Sequence, residues 1–409
     1  MSSKVVIIGA GFAGVWSALS ARRLINLQNK QGSVQVVVVA PEPTLVMRPR
    51  LYEEDPATKT QNLTCLFHHA GIHFIQGTVE SIHTETQTLD VQGLSGDKSV
   101  IDYDRLVLAA GSNLVRPSKI AGLQQHVFDI DSIESASKLE EHLKSLSSLP
   151  PSTARDTLVI CGAGFTGIEL AAELPRRFKS LRIILVEAAD SIGPELGPGP
   201  RPAITAALEA LRIQVKLGSA VASVDATGVT LVSGERIKSM TVVWTAGVRA
   251  TPLTQQIPGT RDSLNRLQVD GNLRNPSSPH VFATGDAACA VAHPSGQTAL
   301  MSCQHAIVLG LASGHNAAAD LVGVPLFPYS HVAYSCCLDL GSCGAVIARG
   351  YDRKEILLTG LDAKKVKSYI NQKLIYPPTI AEEAIVAADP DCPDSDELFA
   401  MLIKEVGVY

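Results

Sequence analysis

The chain carries eight cysteines but no Cys-x-x-Cys pair and no regular spacing among them. This excludes a disulfide framework and a zinc site, and it suits a reducing compartment. Cys336, Cys337 and Cys343 fall in a strand-like stretch and read as packing thiols, with a redox or metal role as the alternative. No metal site is expected. There is no surplus of positive charge either: the formal net charge of −5 excludes the footprint of a nucleic-acid binder. No apolar run is long enough to cross a bilayer. Residues 5–21 lack charge, but the run is short, is broken by glycines, and reads as a buried strand and helix. No secretory signal is visible, so the expectation is a cytoplasmic protein. With 45% hydrophobic and 18% charged residues over 409 positions, the chain reads as globular, with two or three domains.

Two glycine-rich loops stand out. Gly9-Ala10-Gly11-Phe12-Ala13-Gly14 follows the apolar run Val5-Val6-Ile7-Ile8, and Gly162-Ala163-Gly164-Phe165-Thr166-Gly167 follows Leu158-Val159-Ile160-Cys161. One Gly-x-Gly-x-x-Gly is weak evidence of a dinucleotide site, but two copies, each between a strand pattern and a helix pattern, are strong. The first glycine permits the tight turn, the second lets backbone approach a pyrophosphate, and the third lets the helix pack on the strand. The helix N-terminus then offers free N–H groups to phosphate. A chain that binds two dinucleotides is expected to pass electrons between them.

Each unit then needs an acid at the end of its second strand, to meet a ribose. In the first unit the strand over 34–39 leads to Ala40-Pro41-Glu42, so Glu42 is the nearest carboxylate, two positions late. In the second, Ile183-Ile184-Leu185-Val186 ends at Glu187, and the next arginine is Arg201. A carboxylate there repels a 2′-phosphate, which favours NADH over NADPH. Residues 78–100 read as an antiparallel excursion, 106–111 as a buried strand ending in glycine, and 132–146 as an amphipathic helix. The segment 147–152 has the composition of a linker. Residues 242–247 read as a strand returning to the first domain, 281–286 as a strand ending in Gly285-Asp286, 297–319 as a helix, and 329–349 as strands. A helix with lysines 364, 365, 367 and 373 on one face follows, and then an acidic tail beyond 378.

These motifs, in this order, resemble the flavoproteins with two dinucleotide-binding domains. The resemblance implies an α/β fold of two Rossmann-like domains plus a small C-terminal α+β region. It implies an FAD domain in two parts (1–120 and 251–325), an inserted NAD(H) domain (121–250) and a C-terminal region (326–409). By that analogy Gly9, Gly11, Phe12, Ala13, Gly14, Glu42, Arg48, Pro49, Ala110, Gly111, Gly285 and Asp286 hold FAD. Gly162, Gly164, Phe165, Thr166, Gly167, Glu187 and Gly247 hold NADH, with NADPH the less favoured dinucleotide. The loop Met47-Arg48-Pro49-Arg50 has no cysteine, which sets the chain apart from the disulfide reductases. The run Pro49-Arg50-Leu51-Tyr52-Glu53 and the segment Trp244-Thr245-Ala246-Gly247-Val248 look more like the type II NADH:quinone oxidoreductases.

That branch carries two glutamines where quinone meets the flavin. Here the comparable stretch is Thr298-Ala299-Leu300-Met301-Ser302-Cys303-Gln304, which keeps the second glutamine and replaces the first by Leu300. The resemblance therefore implies a flat, quinone-like acceptor near Gln304 and His305, and a role for Glu169 close to the nicotinamide–flavin contact. Leu300 and the cysteines near it favour the alternative of a flavoenzyme for a small metabolite. A second alternative is an NADH-responsive signalling protein like apoptosis-inducing factor. The lysine-faced helix allows weak peripheral contact with a membrane, and the acidic tail allows a homodimer.

Overall fold

The computed structural model describes residues 2–408. Two parallel sheets organise it, each built around one glycine-rich loop. Strand Ser3–Ile8 is buried over its last four residues and pairs in parallel with Val34–Ala40 on one side and Arg105–Leu108 on the other. Adding His73–Gln76 and Val281–Ala283 at the two edges gives five parallel strands. A strand buried on both faces carries a continuous apolar run rather than an alternating one, as Val34–Ala40 does over 36–40. Chain order reverses beside Ser3–Ile8, so Gly9 lies at the crevice where the sheet's connections diverge.

The second sheet repeats the plan with four parallel strands, in the order Gln214–Lys216, Arg182–Val186, Thr157–Cys161 and Thr241–Trp244. Its fingerprint again lies at the divergence of the connections. Each sheet carries an antiparallel three-stranded excursion, Thr78–Asp102 in the first and Val221–Lys238 in the second. The strand Thr241–Trp244 does not return to the first domain, because it pairs with Thr157–Cys161. The return is made just after it, where Val248–Ala250 pairs antiparallel with Ser112–Leu114. The segment 147–152 also lies inside the second unit. The preceding helix Ile133–Ser145, capped by Ser132, buries Leu139 and Leu143 in the same cluster as Leu158 and Ile160.

The helix expected from 297 begins at Cys303 and runs to Val322. Residues 297–299 are instead held in a hairpin, with the Ala292 N–H on the Gln297 carbonyl and the Ala299 N–H on the Ala290 carbonyl. Ser302 then caps the helix. This helix lies very close to the fingerprint helix Phe12–Leu27. A Cβ on Gly310 would fall 2.5 Å from the Ala13 carbonyl oxygen, and one on Gly314 would fall 2.0 Å from that of Ser17. Ser17 and Ser313 share a hydrogen bond of 3.0 Å at the crossing.

The C-terminal region is an antiparallel sheet of Ser335–Asp339, Ala345–Arg349 and Glu355–Thr359, with helices Gly360–Tyr369 and Ser395–Glu405 against it. The acidic stretch is not a loose tail. Ala381, Ala384 and Ala388 are buried in the first domain's core, and Asp394 and Glu397 form a reciprocal cap on the last helix. Among the described residues, no helix is long and apolar enough to cross a membrane.

Candidate functional site

A single cavity of about 2480 Å³ runs between the two sheets and under the C-terminal region. Pockets for one drug-sized ligand are roughly 300–1,000 Å³, so this one has room for more than one large molecule. Gly9, Gly11, Phe12 and Ala13 line it at one end, and Gly162, Gly164, Phe165 and Thr166 line it at the other.

The two loops are close copies. Gly9 and Gly162 have φ of +108° and +114°, a backbone region closed to most L-residues. A Cβ on Gly14 would lie 2.0 Å from the Gly9 carbonyl oxygen, and one on Gly167 would lie 1.9 Å from that of Gly162. Gly14 and Gly167 therefore serve the helix–strand contact rather than a ligand. At Gly11, by contrast, a Cβ would meet nothing within 4 Å. The first loop is an open cradle with the shape and free donors that a dinucleotide pyrophosphate needs, so its residues fit FAD.

The rest of the first site is partly as expected. Glu42, Arg48, Pro49, Gly111, Gly285 and Asp286 line the cavity. Ala110 does not. It packs on the apolar core beneath, and Ala109 lines the wall in its place. Arg48 is held by charge: it donates to Ser112 Oγ (2.9 Å) and pairs with Asp131, while Ser112 donates to Asp286 at 2.6 Å. Ser112 and Asp131 join this network without a sequence signal, because both come from the crossing between the domains.

In the second site Gly247 lines the cavity, and so does Glu187. The Glu187 carboxylate accepts from the backbone N–H groups of Ala163 (2.8 Å) and Ala189 (2.9 Å), which fixes it at the strand's end.

Between the two ends sits Glu169, on the fingerprint helix Phe165–Arg177. It lines the cavity and is 4% exposed. Its Oε1 accepts from Lys367 Nζ (2.9 Å) and from the Asp339 N–H (3.0 Å). Burial disfavours the charged form and pushes the carboxyl up to about 7, against the pull of Lys367. Burial alone would lower the Lys367 ammonium, but Glu169 outweighs it and raises it. Asp339 in turn accepts from Tyr52 (3.0 Å) and from Lys364 (2.6 Å).

This arrangement narrows the lysine face read over residues 363–375, which fold as helix Gly360–Tyr369 and a wider turn over Ile370–Leu374. Lys367 is buried against Glu169 and Lys364 is committed to Asp339, which leaves Lys365 and Lys373 exposed. Replacing Lys367 by Met leaves the Glu169 carboxyl buried without its cation. We expect a loss of about 3 kcal/mol in urea unfolding, the cost of breaking a buried pair. The carboxyl's folded pKa then rises further above its ordinary 4.5. The variant is accordingly most stable below pH 4.5 and loses stability as pH rises through the new folded value.

Gln304 lines the cavity and donates to Ser395 Oγ at 2.5 Å, which ties this part of the wall to the last helix. His305 takes a different place from the one expected. The wall there is made by Ser302, Cys303, Gln304 and Ala306, while His305 turns inward and is fully buried. Its Nδ1 shares a hydrogen bond with Ser302 Oγ (3.0 Å) and its Nε2 one with Tyr351 (3.0 Å). Burial, with His331 and Arg353 nearby, holds its pKa well below the usual histidine range. It stands behind the wall and not in it. Cys336 is buried and Cys337 partly so, and Cys336, Cys337 and Cys343 are all free thiols. Burial pushes Cys336 up to about 11 and Cys337 up to about 12, and Cys337 also lines the cavity.

Two dinucleotide cradles facing one cavity define a flavoprotein oxidoreductase with two dinucleotide-binding domains. Comparison with known proteins places it more closely: residues 3–310 match the pyridine nucleotide-disulphide oxidoreductase family, and the chain belongs to it. It is 40% identical to an NADH dehydrogenase-like protein of Mycobacterium tuberculosis over 95% of this chain and 98% of that one. It is 28% identical to the demethylphylloquinone reductase of Synechocystis over 84% of this chain and 86% of that protein. In fold it is similar to the NDH2 of Plasmodium falciparum solved in complex with NADH. That match has a TM-score of 0.75 at 15% identity, over 94% of this chain and 97% of that one. The chain is an NAD(P)H oxidoreductase that uses a flavin and a nicotinamide dinucleotide.

Proposed function

We propose that the chain moves a hydride from NADH to FAD and passes the electrons on to a quinone-like acceptor. The observation that carries this reading is the continuity of the cavity. Both glycine loops, Glu169 and Gln304 open into one space, whose remaining wall is largely apolar, with Leu300, Ile307, Ile370 and Leu398 among its residues. Bound at the first loop, FAD supplies the two-electron chemistry.

The chain's own residues do the rest. Gly11 and the N-terminus of helix Phe12–Leu27 receive the FAD pyrophosphate, and the Arg48–Ser112–Asp286 network orients the groups beyond it. Gly164 and Glu187 receive the NADH pyrophosphate and ribose. The apolar wall excludes water and admits a flat conjugated acceptor rather than a charged one. Glu169, buried where it lines the cavity, holds a proton there for an acceptor that gains protons with its electrons. The chain's similarity to a demethylphylloquinone reductase supports the quinone-like acceptor.

One equivalent of NADH, added without oxygen, tests the first half of this reading: it should bleach the flavin absorbance, and failure to do so would overturn it. The same titration checks the dinucleotide preference. The Glu187 charge opposes a 2′-phosphate, so Glu187→Ser should reduce the preference for NADH over NADPH about tenfold or more.

A further inference from the structure

The two glycine loops differ in one respect. At Gly11 the space that a pyrophosphate would take is open, whereas at Gly164 a Cβ would lie 2.5 Å from Glu195 Oε1. The same oxygen accepts from the Phe165 N–H at 3.2 Å, the first donor of the fingerprint helix. Glu195 also lines the cavity. A side-chain carboxylate from the chain itself therefore lies where the second loop would present its donors to phosphate.

The segment carrying it is firmly held. The Gly193 N–H donates to the Ala163 carbonyl of the fingerprint at 2.9 Å, and Arg201 donates to the Ile192 carbonyl at 3.1 Å. Leu196 is buried, and the buried Arg353 guanidinium donates to the Glu195 carbonyl and lies 5.6 Å over the Tyr334 ring. Glu195 itself is exposed. The backbone is pinned while the side chain borders solvent, so a rotamer change alone removes the carboxylate from the loop.

We infer that Glu195 is an internal competitor for the anion site of the second dinucleotide: its carboxylate occupies the diphosphate's place and must swing out before NADH binds. The inference rests on the reading of the second loop as the NADH site. Two like charges cannot share those donors, so binding gives up a charge-assisted hydrogen bond, and the carboxylate weakens dinucleotide binding without touching the nicotinamide.

Calorimetric titration of the flavin-loaded protein, its flavin reduced beforehand and oxygen excluded so that no hydride is transferred, tests this with three probes: NADH, ADP-ribose and adenosine. Glu195→Gln should tighten NADH and ADP-ribose about three- to tenfold, and Glu195→Ala at least as much. Adenosine, which has no phosphate, should bind each variant as it binds the parent. If the variants bind NADH equally or more weakly while the parent binds it, the competitor role is overturned and the dinucleotide reading stands. An equal gain for adenosine also overturns that role, because it would report a general loosening of the site. If neither NADH nor ADP-ribose binds the parent or either variant, the dinucleotide reading of the second loop falls, and the competitor with it.

Discussion

Glu169→Gln is expected to slow electron transfer to the acceptor about 100-fold, the lower range for removing a positioned general acid. It should also flatten the pH dependence of that step. Burial raises the Glu169 carboxyl to about 7. The protonated form is the donor, so in the parent the acceptor step is fastest below pH 7 and falls as pH rises through it. An amide does not titrate, so the variant's rate should be low and level. The substitution also leaves Lys367 buried beside a neutral amide, so the melting temperature should fall. Because of this cost, the decisive reading is the shape of the pH profile, taken on protein with full flavin content. A variant that keeps the parent's fall near pH 7 assigns that titration to another group and removes Glu169 from the proton path.

Gly11→Asp is expected to give folded protein without flavin. A Cβ at Gly11 meets nothing within 4 Å, so the substitution disturbs no protein contact. Its carboxylate nevertheless projects into the space where the cradle receives a pyrophosphate, and repels it. Gly14→Ala is expected to do the reverse. Its Cβ would stand 2.0 Å from the Gly9 carbonyl oxygen, so the fingerprint helix must lift from its strand. We expect a destabilisation of about 3 kcal/mol, at the upper end for overpacking, because backbone is the obstacle. Visible absorbance and urea unfolding separate the two variants. If Gly11→Asp retained a full complement of flavin, the first loop would not be the flavin site.

Much of the fold was legible because its signals are local. Strand, glycine loop, helix and acid follow one another within a short stretch, and the period of apolar residues marks each, which is why Gly9, Gly162 and Glu187 lie at the strand ends where the pattern expects them. The misreadings came where distant contacts decide. The lysines of helix Gly360–Tyr369 look like a solvent face until Glu169 and Asp339, far away in sequence, are seen to hold two of them. His305 follows Gln304 and seemed to share its role, but capping by Ser302 sets the helix so that neighbouring side chains diverge, one to the cavity and one to the core. Thr241–Trp244 has the composition of a core strand in either sheet, and only its pairing with Thr157–Cys161 assigns it. Ser112 and Asp131 carry no motif at all. They reach Arg48 and Asp286 because the chain crosses between domains there.

Electrons from NADH are expected to leave through the flavin to a quinone-like molecule in the shared cavity, and this route can be followed in one experiment. It is tested most directly by mixing NADH-reduced protein, without oxygen, with a short-chain ubiquinone in a stopped-flow instrument and following the return of flavin absorbance. Reoxidation within milliseconds, slowed by Glu169→Gln, is the expected result. Reoxidation no faster than with air would contradict it.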